Sequence, residues 1–176
     1  MPSEWDLHYA RWIIEDGQPN RRIGETFVWF IVEAYADQPL ALSRESTASA
    51  VPINDYRYRV VAQVKFVGER NCIVDFGLRA ALSRDRLPEI CQIGDFVVGD
   101  VGLDLPLCID LLPEEEFSSL RYTWRVSRIT ADVTPYVSHA DNPRYFFRDT
   151  SRISFTEVAN TDQIKAQEYI LHCREV

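Results

Sequence analysis

The chain has 176 residues, 46% of them hydrophobic and 26% charged, with a formal net charge of −8. That length predicts one domain able to bury a core without disulfide or metal staples, and the composition excludes a disordered chain. The acidity, with a sequence pI near 4.9, opposes general binding to nucleic acid or anionic membranes, which share its sign.

The opening MPSEWDLHYARW has no basic segment followed by an apolar run, so no secretory signal is expected. No stretch approaches the roughly 18 consecutive apolar residues of a membrane helix. Cys72, Cys91, Cys108 and Cys173 stand apart from one another and His8, His139 and His172 form no ligand pairs. Buried thiols in a reducing cytoplasm are therefore expected, with no zinc site and no cofactor.

Ser3 is a candidate cap for a short helix carrying Trp5, Tyr9, Trp12 and Ile13, while Trp5, Leu7 and Tyr9 also alternate as in a strand. Asp16-Gly17 and Pro19-Asn20 end that element. Residues 26–36, TFVWFIVEAYA, are apolar on both parities and read as a strand covered on both faces, or covered on one and offered to a partner on the other. Residues 37–55 read as a polar connector, a long loop with room for a short helix.

Alternation is clean over residues 56–67: Tyr58, Val60, Ala62, Val64 and Phe66 take one face, and Arg57, Arg59, Gln63 and Lys65 the other. A tight connection at Gly68 predicts a hairpin with residues 72–76. Asp75-Phe76-Gly77 matches the D-F-G of protein kinases, but the match does not survive its context. Lys65 and Asp75 are ten residues apart, no glycine-rich loop precedes Lys65 and no H-R-D-x-x-x-x-N occurs. The tripeptide reads as a strand end, with Phe76 packed and Gly77 freeing the backbone.

Residues 78–95 are of mixed character, with one short helical turn expected. Residues 96–107 put Val97, Val101, Leu103, Leu105 and Leu107 inward and Asp100 and Asp104 outward, with Gly99 and Gly102 marking bends or bulges. Pro113 and Glu114-Glu115-Glu116 predict an acidic turn. Over residues 120–137, Tyr122, Trp124 and Val126 oppose Arg121, Thr123, Arg125 and Ser127, and the parity flips near Arg128, which predicts a bulge. Residues 138–151 read as a polar loop containing Tyr145-Phe146-Phe147, and residues 153–158 and 164–173 as final strands.

Seven to nine strands, little helix and no βα alternation predict a single mainly β domain over residues 1–176, an antiparallel β-barrel with one or two short helices. The hairpin, its glycine-ended strand and the run IGDFVVG at residues 93–99 make residues 56–107 resemble the OB-fold, in which such a hairpin precedes a capping segment and a G-D-x-V-x-G strand. The resemblance implies a barrel for that third of the chain and carries no ligand.

Asp75, Asp95, Asp100, Asp104 and Asp110 suggest a carboxylate site, but no EF-hand spacing is present and outward parity fits a solvated face. No nucleophile elbow or papain-like cysteine context occurs, and His172 and Cys173, adjacent on a strand, point to opposite faces. No catalytic or metal-ligating residue is expected. The favoured reading is a non-catalytic binding protein that engages a protein partner, or a second copy of itself, through its acidic N-terminal third. Residues 1–55 hold four basic and nine acidic groups. Trp29, Tyr35 and Phe146 are the expected apolar anchors, and an immunity- or inhibitor-like protein is one version. The alternative is an OB-like single-stranded nucleic-acid binder using Arg57, Arg59, Lys65 and Arg121, which requires the two arginine-bearing strands to adjoin. Parity opposes it, because Tyr122 and Trp124 point away from Arg121 and Arg125. An enzyme with an unrecognised site comes third.

Overall fold

The structure, a computed structural model, describes residues 2–29, 31–106, 116, 119–139 and 142–176, with residues 139 and 142–145 described by backbone alone. Leu107, Cys108, Asp110 and most of the expected acidic turn lie outside them. The described residues are mainly β, with a closed five-stranded barrel and one short α-helix.

Trp5–Ala10 forms strand β1, because its alternate side chains Trp5, Leu7 and Tyr9 all bury. The helix α1 (Arg11–Glu15) follows it with Ala10 as N-cap, so the helix expected from Ser3 gives way to the strand period. The apolar run at 26–36 is not one strand. It divides into β2 (Thr26–Trp29) and β3 (Glu33–Tyr35), which belong to different parts of the fold. Both parities are apolar because Ile31 and Val32 are buried where the chain crosses between them. The expected loop at 37–55 supplies two short strands, β4 (Ala41–Leu42) and β5 (Ser49–Asn54); β5 carries Pro52, a residue tolerated only where a strand edge is free.

The barrel is built from β6 (Arg57–Val67), β7 (Asn71–Asp75), β8 (Arg79–Ser83), β3 and β9 (Phe96–Asp104), in that cyclic order. All neighbours are antiparallel except β3 and β8, which meet in parallel at the single pair Glu33↔Ala81. Strand β8 was hidden in the mixed stretch by its alanines. Its inward residues Ala80 and Leu82 are fully packed, and the expected helical turn follows as a 3₁₀ turn at Arg84–Arg86. Asp75-Phe76-Gly77 ends β7 as expected: Phe76 is buried, Gly77 has φ 98°, and its N–H donates to Asp75 Oδ1 at 3.0 Å.

Two expectations for the barrel are corrected. A register shift between Val64 and Phe66 turns Phe66 to the outside, where it packs with Ile31, Ile73, Ala81 and Leu120. Gly99 and Gly102 mark no bulge, since β9 runs in unbroken register along β6. A Cβ at Gly99 would overlap the Leu40 side chain, and one at Gly102 the Tyr35 ring. These glycines let neighbouring side chains lie across the strand.

The second sheet centres on β14 (Glu168–Glu175), antiparallel to β1 on one side and to β10 (Tyr122–Asp132) on the other. β2 and β13 (Phe155–Glu157) share the outer edge of β10. The expected bulge is present between Val126 and Arg128. The polar loop expected after it is instead a hairpin, β11 (Tyr136–His139) with β12 (Asn142–Arg148). Barrel and sheet join where β1 runs beside the end of β9 at His8↔Asp104. One cluster of buried side chains is continuous through both, from Val64 and Phe76 to Trp124 and Leu171. Cys72, Cys91 and Cys173 are buried free thiols, and burial pushes Cys72 up to about 12.

Trp124 is fully buried and its indole N–H has no partner among the described residues. Trp124→Ala should cost about 3–5 kcal/mol in urea unfolding, as cavities left by large aromatics do, and Trp124→Phe much less. Gly102→Ala should cost about 1–3 kcal/mol by overpacking against Tyr35. A loss below about 0.5 kcal/mol for both alanine variants would mean that neither site is close-packed.

Candidate binding cleft

Alternation along β1, β14 and β10 sends one set of side chains into the core and the other outward. The outward set is polar, and the register aligns Asp6 with His172 and Arg128, and His8 with Ile170 and Thr130. Over this face lies a cleft of about 230 Å³. His8, Asp132, Glu168 and Ile170 come from the sheet, residues 54–57 from the β5–β6 turn, and Arg148, Ile153 and Phe155 from the chain after β11.

His8 lies at the junction of barrel and sheet. Its Nδ1 is 3.2 Å from Asp104 Oδ1, its Nε2 is 4.0 Å from Glu168 Oε2, and its ring rests on Tyr56 at 5.0 Å between centroids. The Asp104 contact is an ion pair, and His8 Nε2 has no hydrogen-bond partner among the described residues. Burial disfavours a charged His8, but the contact with Asp104 and the charges of Asp104 and Glu168 outweigh it and raise the imidazole pKa, against a smaller opposing effect of Arg148.

Asp132 is satisfied: its Oδ1 accepts the Thr134 N–H at 2.9 Å and its Oδ2 pairs with Arg148. The Arg148 guanidinium also lies over Phe155 at 5.7 Å, while its Nε is buried without a partner among the described residues. Asp55, at the tip of the β5–β6 turn, is the one non-glycine residue with positive φ (39°) among the described residues. Its carboxylate makes no hydrogen bond or ion pair among them, and burial raises its pKa.

Beside the cleft, Asp6 Oδ1 accepts from His172 Nδ1 at 2.5 Å, which leaves Nε2 to accept the Thr130 hydroxyl at 3.0 Å. Carboxylate, imidazole and hydroxyl stand in the order of a general-base relay. His172 is buried, however, and neither it nor Thr130 lines the cleft, so the set ties β1, β14 and β10 together.

The residues expected to bind a partner are not brought together. Trp29 is a core residue, edge-on to Tyr9 and Phe27, with its N–H donated to the Pro106 carbonyl at 3.1 Å; its ring has no surface to offer. Tyr35 is half-buried between Tyr56 and Arg57, with its hydroxyl pKa raised by burial. Phe146 is 62% exposed on β12. The acidic N-terminal third is largely neutralised from within: Glu4 pairs with Arg174, Asp6 with His172, Glu15 with Arg11, Glu25 with Arg21 and Asp37 with Arg57.

The basic patch is corrected as well. β6 and β10 are not neighbours, so Arg121, just before β10, does not extend the stripe of Arg57 and Arg59. Arg57 is held by Asp37 at 2.6 Å, Arg59 by Asp100 at 2.5 Å, and Lys65 donates to Gln63 Oε1 at 2.6 Å. The aspartates do not converge either. Asp75 pairs with Arg79, Asp95 accepts the Gln92 N–H, Asp100 pairs with Arg59 and Asp104 with His8. Among the described residues no group of three or more side chains is placed to hold a metal ion.

Sequence reasoning missed His8, Asp55, Asp132, Arg148 and Glu168 as a set. The available signal was parity: in the strand reading of the N-terminus, Asp6 and His8 alternate against Trp5, Leu7 and Tyr9. Comparison with known proteins finds no family model, no curated protein and no solved structure that matches this chain. No helix among the described residues is long and apolar enough to cross a membrane.

Because the His8 pKa is raised on folding, its pairing contributes fully below the ordinary value of about 6.5 and is lost as pH rises through the folded value. The stability difference between wild type and His8→Gln, from urea melts, should therefore be largest at about pH 6 and shrink towards about pH 9. A difference that stays constant or grows with pH would contradict this assignment.

Proposed function

We propose that this chain is a non-catalytic binding protein that engages a protein partner through the cleft and the apolar rim around it. The observation that carries the reading is a juxtaposition. Tyr136, Phe146 and Ile153 are exposed by 49%, 62% and 56%, beside a cleft whose carboxylates Asp55 and Glu168 lack strong internal partners. The pairs Tyr136↔Arg148 and Ser138↔Phe146 put both rings on the same hairpin face as Arg148, which lines the cleft. Exposed aromatics around polar groups are the usual make-up of an interface centre, and large apolar side chains grouped on a surface mark interaction sites. The partner-binding acidity thus moves from the N-terminal third as a whole to this cleft. A second copy of the chain is one form the partner takes in this reading. The free thiols of Cys72, Cys91 and Cys173 suit a reducing cytoplasm.

An OB-like reading of the barrel is supported by the succession of hairpin β6–β7, strand β8, 3₁₀ turn and β9, with the closing strand β3 supplied from upstream. Single-stranded nucleic-acid binding has less support. The outer face of β7 and β8, which OB barrels use for that purpose, lies under Ile31, Phe66 and Leu120, and the arginines of β6 face their own aspartates.

The test is native mass spectrometry of the protein isolated from its own cells, comparing wild type with Tyr136→Ser/Phe146→Ser and with Leu42→Ser/Val51→Ser on the barrel edge. A stoichiometric second polypeptide, or a second copy, should be retained by the barrel-edge variant. It should be lost by about tenfold or more from the hairpin variant, the effect of one hot-spot residue. Equal retention by both variants would reject the reading.

A further inference from the structure

The interface reading leaves open what enters the cleft, and the charges facing it decide this. Two of its cations are already committed: Arg57 to Asp37 at 2.6 Å, and Arg148 to Asp132. What remains is acidic. Asp55 has no ion-pair partner among the described residues, Glu168 has only His8 Nε2 at 4.0 Å, and the other His8 nitrogen is already held by Asp104, which does not line the cleft. Asp104 and Glu168 thus share one imidazole, and Asp55 has none. A carboxylate covered on binding without a donor is costly, and a donor on the occupant removes that cost.

Resting on the interface reading, we propose that the cleft receives one basic side chain of the protein partner, a guanidinium or ammonium group, with Asp55 and Glu168 as its acceptors. The aromatic content fits the same occupant. Phe155 already carries the Arg148 guanidinium at 5.7 Å, and Tyr56 lines the cleft beneath His8. Aromatic faces attract a cation and repel an anion. An anionic group would meet Asp55, Glu168 and Asp132, while the two arginines there, Arg57 and Arg148, are already paired with aspartates. A purely apolar side chain would take water from Asp55 and Glu168 and give them no donor in return. The apolar rim of Tyr136, Phe146 and Ile153 would then exclude water around the buried ion pair, as the surround of an interface hot spot does.

The probe is N-acetyl-arginine amide, titrated into the full chain and followed by amide resonances in NMR, with the neutral isostere N-acetyl-citrulline amide as control. The arginine amide should give saturable shifts confined to residues 54–57, 132 and 168–170, and the citrulline amide none. Glu168→Gln and Asp55→Asn should each weaken binding by about tenfold, the loss of one charge-assisted hydrogen bond. Asparagine is chosen at 55 because it tolerates the left-handed backbone there, and both variants are checked for a native spectrum first. Equal shifts from the two amides, no saturation, or wild-type binding by both variants would overturn the proposal. In the native complex, loss of the partner from the hairpin variant but not from Asp55→Asn/Glu168→Gln would overturn the cleft occupant and leave the interface standing. Arginine-amide binding together with a partner untouched by the hairpin variant would overturn the interface, and with it the partner as source of the cation.

Discussion

Strand β9 is the member on which the rest of the molecule hangs, because it belongs to the barrel and to the junction with the sheet at once. One edge bonds to β6 and then, at Asp104, runs beside β1; the other bonds to β4 and then to β3. A strand so flanked has no edge left for water, so its inward residues Val97, Val101 and Leu103 are fully buried. Both faces are crowded elsewhere along it: on the inward face Gly99 leaves room for the Leu40 side chain, and on the outward face Gly102 for the Tyr35 ring. Asp104, at the strand's end, must share its surroundings with Glu33 and His8, and burial together with Asp104 raises the Glu33 pKa.

The charge distribution follows from this arrangement. The outer face of the β1–β14–β10 sheet is partly covered by the β5–β6 turn and by the chain around Arg148, so its polar side chains are removed from bulk water. Where two elements meet directly, polar groups pair, as the Arg148 guanidinium does with Asp132 and the His172 imidazole with Asp6. Where they only approach, as at Asp55, the carboxylate is left without a partner. A net charge spread along the sequence thus becomes a local excess in space.

The strand core was legible in the sequence where one face is dry and the other wet. Residues 57–64 and 96–105 show this, as does the flip at Arg128, where a single extra residue leaves an unambiguous phase change. Legibility failed where both parities were apolar for different reasons, as at 26–36, where two strands share one hydrophobic run. It failed again at 138–148, whose polar hairpin pairs only with itself and lies outside the main sheet, so no core-facing alternation marks it in the sequence. The cleft was illegible on different grounds. His8, Asp55, Asp132, Arg148 and Glu168 come from five separate stretches, and no two are close enough in sequence to form a motif. Gly102 misled because a glycine in a strand signals either a bend or a crowded neighbour, and only the position of Tyr35 distinguishes them.

The pairing of β1 with β14 sets a limit on the order in which the molecule can be made. The strand at residues 5–10 finds its antiparallel partner only at residues 168–173, and β10 rests on the other side of that same late strand. In the barrel, β3 likewise lies between two strands that come later in the chain. During synthesis the hairpin β6–β7 can form as soon as it leaves the ribosome, and Trp5 can then pack on Tyr58 and Phe76. The backbone of residues 5–10, by contrast, waits for residues 168–173, so this strand presents an open edge to the cell for as long as β14 is still being made.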